Sequence, residues 1–209
     1  MLEGVHADSG IGLRPSCFLK GNMRKEALLI LAERFEEVEA VTPVDVLRRA
    51  GVNVVMAGLR SKNVRGSRRV VYIADMLLSE YQGNPDVLIL PGGVQGAENL
   101  HQAQGVTEWI AKMNQSGKWI AAICAAPAVV LAPTGVLDNR KATCYPGYEK
   151  GWGALIQHQT TAVAVDQNII TSQGPGTALD FSFVIVEKLF DRATAVDLAQ
   201  KMVYSYTGI

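Results

Sequence analysis

One cysteine, Cys124, sits at the centre of a run of apolar and small residues, WIAAICAAPAVVLA, residues 119–132. Two readings of it are open. A buried cysteine behaves as a small hydrophobe and needs no further role. A cysteine where a strand-like stretch turns into a helix is instead a nucleophile elbow, whose small flanking residues permit the sharp turn that lifts the side chain into a pocket. In that case the N–H groups of the new helix point back at the thiol, and their dipole favours thiolate. Pro127 in the first helical turn would lose no hydrogen bond there.

A nucleophile needs a proton-transfer partner. A histidine directly after the cysteine would make a Cys–His pair, but that residue is Ala125. Carboxylates remain, and FEEVEA offers Glu36, Glu37 and Glu39. On a helix Glu36 and Glu39 share a face while Glu37 points elsewhere. One buried carboxyl could hydrogen-bond the thiolate and shuttle a proton; two of the three read as solvated acids that satisfy the helix dipole. The glycine pair in LPGG, residues 90–93, lets backbone N–H groups turn towards a developing oxyanion, or makes an ordinary turn. GPGT, residues 174–177, could seat a phosphate at a helix start, but no P-loop lysine completes it.

The three cysteines (Cys17, Cys124, Cys144) have no CxxC spacing, and His6, His101 and His158 are scattered without ligand spacing. Neither a zinc cage nor a disulfide framework is expected, and the spacing does not point to a metal enzyme. A reducing, cytoplasmic setting fits this cysteine usage.

The elements that would position these residues follow from hydrophobic pattern. The 209-residue chain is 48% hydrophobic and 19% charged, with 20 basic and 20 acidic residues. That balance is globular, and it supplies no net field towards nucleic acid or an anionic membrane. No apolar stretch reaches the roughly 18–20 residues of a membrane span. Residues 1–24 have no clear period and read as a disordered or processed extension, with weak features of a targeting segment; residues 25–209 read as a single domain.

Within it, ALLILA (27–32) and PDVLILPGG (85–93) are apolar runs of strands buried on both faces, and KWIAAI (118–123) is a further strand. VNVVMAGL (52–59) and SRRVVYIAD (67–75) read as further strands, the second at an edge. Val38, Val41, Val44 and Leu47 mark the buried stripe of a helix stopped at Gly51. Helices are also expected over 106–117, from Ala126 to near Pro133, and over 178–190 and 192–206. Residues 159–173 read as two short strands around an Asp166–Gln167–Asn168 turn. Alternating strands and helices specify an α/β fold with a doubly wound, mostly parallel sheet. Its ligands belong beyond the carboxyl ends of the strands, where strand order reverses.

Taken in order, ALLILAERFEEVEAVTPVDVLRRAG, DVLILPGGVQGAENL, AAICAAPAVVLA and TSQGPGTALDF resemble the ThiJ/PfpI superfamily, and most of all its Parkinson-associated protein deglycase branch. The resemblance runs from about residue 26 to 205. It implies a flavodoxin-like homodimer with Cys124 as nucleophile, a protonated Glu39 beside it, and the N–H groups of Gly93 and Ala125 as an oxyanion pocket. It further implies a glyoxalase or deglycase that uses no cofactor and acts on methylglyoxal, glyoxal and early glycation adducts, linked to oxidative-stress protection. Two alternatives from related branches are a redox-sensing chaperone whose Cys124 is oxidised, and a cysteine amidase or peptidase. Where members often carry a histidine near the thiol, this chain has Tyr145, read as a pocket wall. The loop Glu33–Phe35 is bulkier than usual, Arg49 and Arg68 match positions that flank the pocket, and Cys144 is read as core.

Overall fold

The computed structural model describes residues 25–208, so the readings made for residues 1–24, with His6 and Cys17, lie outside it. The first strand, β1 (Glu26–Leu31), is buried from Ala27 onward, as its unbroken apolar run requires. Helix α1 (Glu37–Arg49) leads to β2 (Asn53–Gly58), then β3 (Asn63–Arg65), β4 (Val71–Ile73) and β5 (Met76–Leu77). Next come β6 (Val87–Leu90), α2 (Val94–His101), α3 (Gln104–Gln115) and β7 (Trp119–Ile123). Two short strands, β8 (Lys141–Ala142) and β9 (Gln157–His158), precede β10 (Val163–Asp166), β11 (Ile169–Ser172), α4 (Ala178–Leu189) and α5 (Arg192–Lys201).

The main sheet has seven strands in the order β10-β11-β7-β6-β1-β2-β5. All neighbours are parallel except β10 and β11, which pair antiparallel around the tight turn expected there. From β1 the chain winds outward through β2, then returns to lay β6 on the other side of β1. Right-handed crossovers therefore place α1 and α3 on opposite faces. Helix α4 packs on α1, and α3 on β6 and β7. The reversal lies between β1 and β6, and the crevice beyond their carboxyl ends is where such sheets bind ligands. This is the doubly wound, flavodoxin-like architecture.

Several local expectations are corrected. The apolar stripe assigned to α1 is rotated: Val38 and Val41 are 47% and 38% exposed, while Glu37 and Glu39 are buried with Ala40, Val44 and Leu47. The strand read over 67–75 is a hairpin arm instead. Arg69, at φ 72°, ends a turn, β4 pairs with β3 in a separate ribbon, and β5 is the sheet edge. The helix expected from Ala126 is a wide π-helical turn, Pro127–Leu131, followed by a 3-10 turn, Ala132–Thr134. Helix α2 was not foreseen, because VQGAENL offers few apolar positions and follows Gly93 at φ 82°. The last helix ends at Lys201 rather than 206.

Candidate active site

Cys124 follows β7 directly and has φ 66°, the left-handed conformation of an elbow. Its N–H donates to Ser172 O at 2.9 Å, and its carbonyl accepts from Tyr145 N at 2.8 Å. Both main-chain groups are thus spent on neighbouring segments, which fixes the strained turn against its tendency to relax. The backbone makes a sharp left-handed turn at Cys124, whose side chain is at the same time largely buried. The side chain stands at the floor of a cavity of about 560 Å³.

Glu39 is brought to the sulfur by α1. Glu36 caps that helix, its carboxylate accepting from Glu39 N at 3.0 Å, so the solvated-acid reading suits only this first carboxylate. Glu39 itself is fully buried, and its Oε2 accepts the Gly92 N–H at 2.8 Å. Among the described residues Oε1 has no hydrogen-bond partner, and the carboxyl lies close enough to the Cys124 thiol for each to bear on the other's ionisation. Gly92 makes this approach possible: a Cβ there would lie 2.7 Å from Cys124 Cβ and 2.8 Å from Glu39 Oε2. Glu37, also buried, instead holds the turn before β4, accepting Arg68 N at 2.6 Å and Ser67 Oγ at 3.1 Å. That turn presents Ser67 and Arg68 to the cavity.

Burial pushes Glu39 up from an ordinary carboxylate value to about 7, against the opposing hydrogen bonds from Cys124 and Gly92. Burial also pushes the Cys124 thiol up, to about 12, with the charge of Glu39 and its hydrogen bond adding to the rise. The N–H groups of Gly93 and Ala125 act the other way and favour the anionic sulfur. The expectation of a thiol ionised by a helix dipole is therefore corrected. No regular α-helix follows the elbow, and an ionised Glu39 opposes a second charge. The two acids titrate as one pair. When the proton rests on Glu39, the repulsion vanishes and the acid becomes a donor to sulfur, so the thiolate belongs to the state in which Glu39 is protonated.

The remaining positions sort cleanly. Gly93, Ala125 and Tyr145 line the same cavity as Cys124. Tyr148, which sequence reasoning missed, lines it too, packed edge-on against Tyr145 with ring centres 6.1 Å apart. Arg68 reaches the cavity; Arg49 does not, being paired with Asp45 on the exposed side of α1. In the bulky loop, Phe35 is core while Arg34 lines the cavity, its N–H tied to Arg65 O at 2.7 Å. In GPGT, Thr177 Oγ1 is engaged by Ser172 and by Gly174, so that hydroxyl serves the turn itself.

A family model described as the DJ-1/PfpI family matches residues 25–188. Protein DJ-1 homolog A of Arabidopsis thaliana is 39% identical over 179 residues, covering 84% of this chain and 45% of the relative. The chain thus spans less than half the length of that curated relative. Glutathione-independent glyoxalase DJR-1.2 of Caenorhabditis elegans is 33% identical over 168 residues, covering 79% of this chain and 89% of the relative. The solved structure of oxidized Toxoplasma gondii DJ-1 superposes with a TM-score of 0.84 at 37% identity, covering 87% of this chain and all of that one.

Proposed function

Because this chain belongs to the DJ-1/PfpI family, we propose that it is a glyoxalase and deglycase that uses Cys124 as nucleophile and needs no cofactor. The observation that carries the proposal is the buried Glu39 carboxyl set against the Cys124 thiol, with the Gly93 and Ala125 N–H groups bearing on the same sulfur. The glyoxalase name of the worm relative supports the substrate class.

The chemistry suits the parts. With methylglyoxal, the Cys124 thiolate adds to the aldehyde carbon, a C–S bond forms, and the carbonyl electron pair becomes an alkoxide facing the N–H groups. Glu39 gives that oxygen its proton, which yields a hemithioacetal and leaves a carboxylate. The carboxylate removes the proton from the former aldehyde carbon to give an enediolate and returns it to the adjacent carbon, while the hydroxyl proton on the first carbon's oxygen passes to the second carbon's oxygen, so the first carbon is oxidised as the second is reduced. The product is a lactyl thioester, and water releases lactate and the thiol. An aldehyde held as a hemiaminal on an amine enters by displacement instead: the thiolate forms the C–S bond as the C–N bond breaks, the amine leaves with the proton of Glu39, and the same hemithioacetal results.

On this reading the chain acts as a homodimer in the cytoplasm. Exposed Val38 and Val41 on α1, with Val70, Val71 and Ile73 on the hairpin, supply an apolar surface for a second copy. No described helix is long and apolar enough to cross a membrane.

A second reading, a redox sensor and chaperone, gains support from the same donors. They would hold the oxygens of a Cys124 sulfinate, and the Toxoplasma relative is titled as oxidized. Among the described residues the amidase reading lacks its histidine, since neither His101 nor His158 lines the cavity. One experiment separates these. Purified protein is incubated with methylglyoxal while lactate is followed, beside Cys124→Ser and a sample first treated with mild peroxide. Turnover in the untreated protein alone establishes the enzyme. Turnover retained in Cys124→Ser overturns it, and absence of turnover with two oxygens gained at Cys124 favours the sensor.

A further inference from the structure

A second set of reactive side chains, none of which lines the cavity, comes from the segment that carries Tyr145 and Tyr148. Cys144 is wholly buried, Glu149 half-buried and His158 exposed. One ligand atom from each, a sulfur, a carboxylate oxygen and an imidazole nitrogen, lies within 4.8 Å of the other two. The topology makes this meeting: β8 and β9 pair in parallel with Ala142 opposite His158, and Cys144 follows two residues on. Glu149 arrives on the short 3-10 turn Tyr148–Gly151.

We propose that Cys144, Glu149 and His158 form a binding site for a zinc-class divalent cation, its fourth position open to water. A sulfur, nitrogen and oxygen donor set matches the borderline softness of that ion. In tetrahedral zinc sites the bonds of about 2.0–2.3 Å put ligand atoms roughly 3.3–3.8 Å apart, so contraction of about 1 Å closes this set. His158 is exposed, and the Glu149 carboxylate keeps one oxygen on the Gly147 N–H at 2.6 Å and has a second to offer. The supporting contacts are already in place. The Glu149 N–H bears on Cys144 Sγ, the kind of donor that steadies a metal thiolate. The His158 ring stands edge-on to Trp152, with centres 5.5 Å apart, which limits its rotation. Binding replaces the Cys144 thiol proton with the cation and releases that proton to solvent. The ion then ties residues 144–158 together, the segment that supplies Tyr145 and Tyr148 to the cavity wall. The site stands apart from any turnover at Cys124.

The test is titration of the purified protein with Co²⁺ alone and with Zn²⁺ alone. The expected result is one equivalent of Co²⁺ with a sulfur-to-cobalt charge-transfer band, displaced by Zn²⁺ and unchanged in Cys124→Ser. Cys144→Ser should abolish the band. Glu149→Gln and His158→Ala, both on accessible side chains that leave the core intact, should each weaken binding by ~10-fold or more. No band overturns the proposal. So does a band lost in Cys124→Ser, which places the ion on the other thiol, or one unmoved in both Glu149→Gln and His158→Ala.

Discussion

Gly92→Ala tests the contact between Glu39 and Cys124 with a single methyl group. The substitution keeps the Gly92 N–H that donates to Glu39 at 2.8 Å, so only volume is added. That methyl would stand 2.7 Å from Cys124 Cβ, 2.8 Å from Glu39 Oε2 and 2.8 Å from the carbonyl of Ile123. Carbon pairs rest at about 3.5–4.0 Å, so the nearest contact must open by about 1 Å. None of the three neighbours is the free end of a flexible chain: one is on the strained elbow, one is fully buried, one is strand backbone. Overpacking of this kind costs about 1–3 kcal/mol. At about 2–4 °C per kcal/mol for a chain of this size, Tm should fall by about 2–12 °C. A displacement of about 1 Å between reacting groups costs on the order of 100-fold in rate. Two assays read it: iodoacetamide alkylation of Cys124, which needs no substrate, and lactate formation from methylglyoxal. A folded Gly92→Ala protein with both rates within twofold of the parent would refute the geometry assigned to the pair.

Further outcomes follow from the buried acids. Glu39 titrates near 7 in the folded chain but near 4.5 when exposed, so the native state holds the extra proton between those values. Its contribution is favourable below about pH 4.5 and is lost as pH rises through 7, by up to ~3 kcal/mol. Glu39→Gln has no such loss, so its Tm relative to the parent should improve from pH 4.5 to 8; parallel profiles would remove Glu39 as the buried acid. Glu37→Ala deprives the Arg68 N–H and the Ser67 hydroxyl of their acceptor. It should cost about 1–3 kcal/mol of stability and loosen the turn carrying Arg68, read as a lower Tm and a raised KM. An unchanged KM would detach that turn from substrate binding.

The parts legible in sequence were those where one physical demand dominated. The runs of β1, β6 and β7 are apolar throughout because both faces of a parallel sheet are covered, and Cys124 was found from the strand ending at Ile123. Helix α1 defeated its own pattern. Glu37 and Glu39 face inward, onto the Ser67–Arg68 turn and the Gly92 N–H, which leaves Val38 and Val41 outward against the usual hydrophobic rule. Spacing also could not show Cys144, Glu149 and His158 as neighbours, because a strand pairing across an irregular segment brings them together. Tyr148 was hidden for the same reason. The burial that denies Cys124 a freely ionised thiol, and the Glu39 charge that adds to it, arise from how separate segments pack, which residue types alone do not carry.

The left-handed backbone of Cys124 has an evolutionary implication. An L-residue there forfeits about 1–2 kcal/mol that glycine would not. A copy of this chain released from selection on its sulfur would find glycine an easy destination. On the proposed function the sulfur is what offsets that cost, and its loss in a descendant would mark retirement from chemistry while the sheet beneath endured.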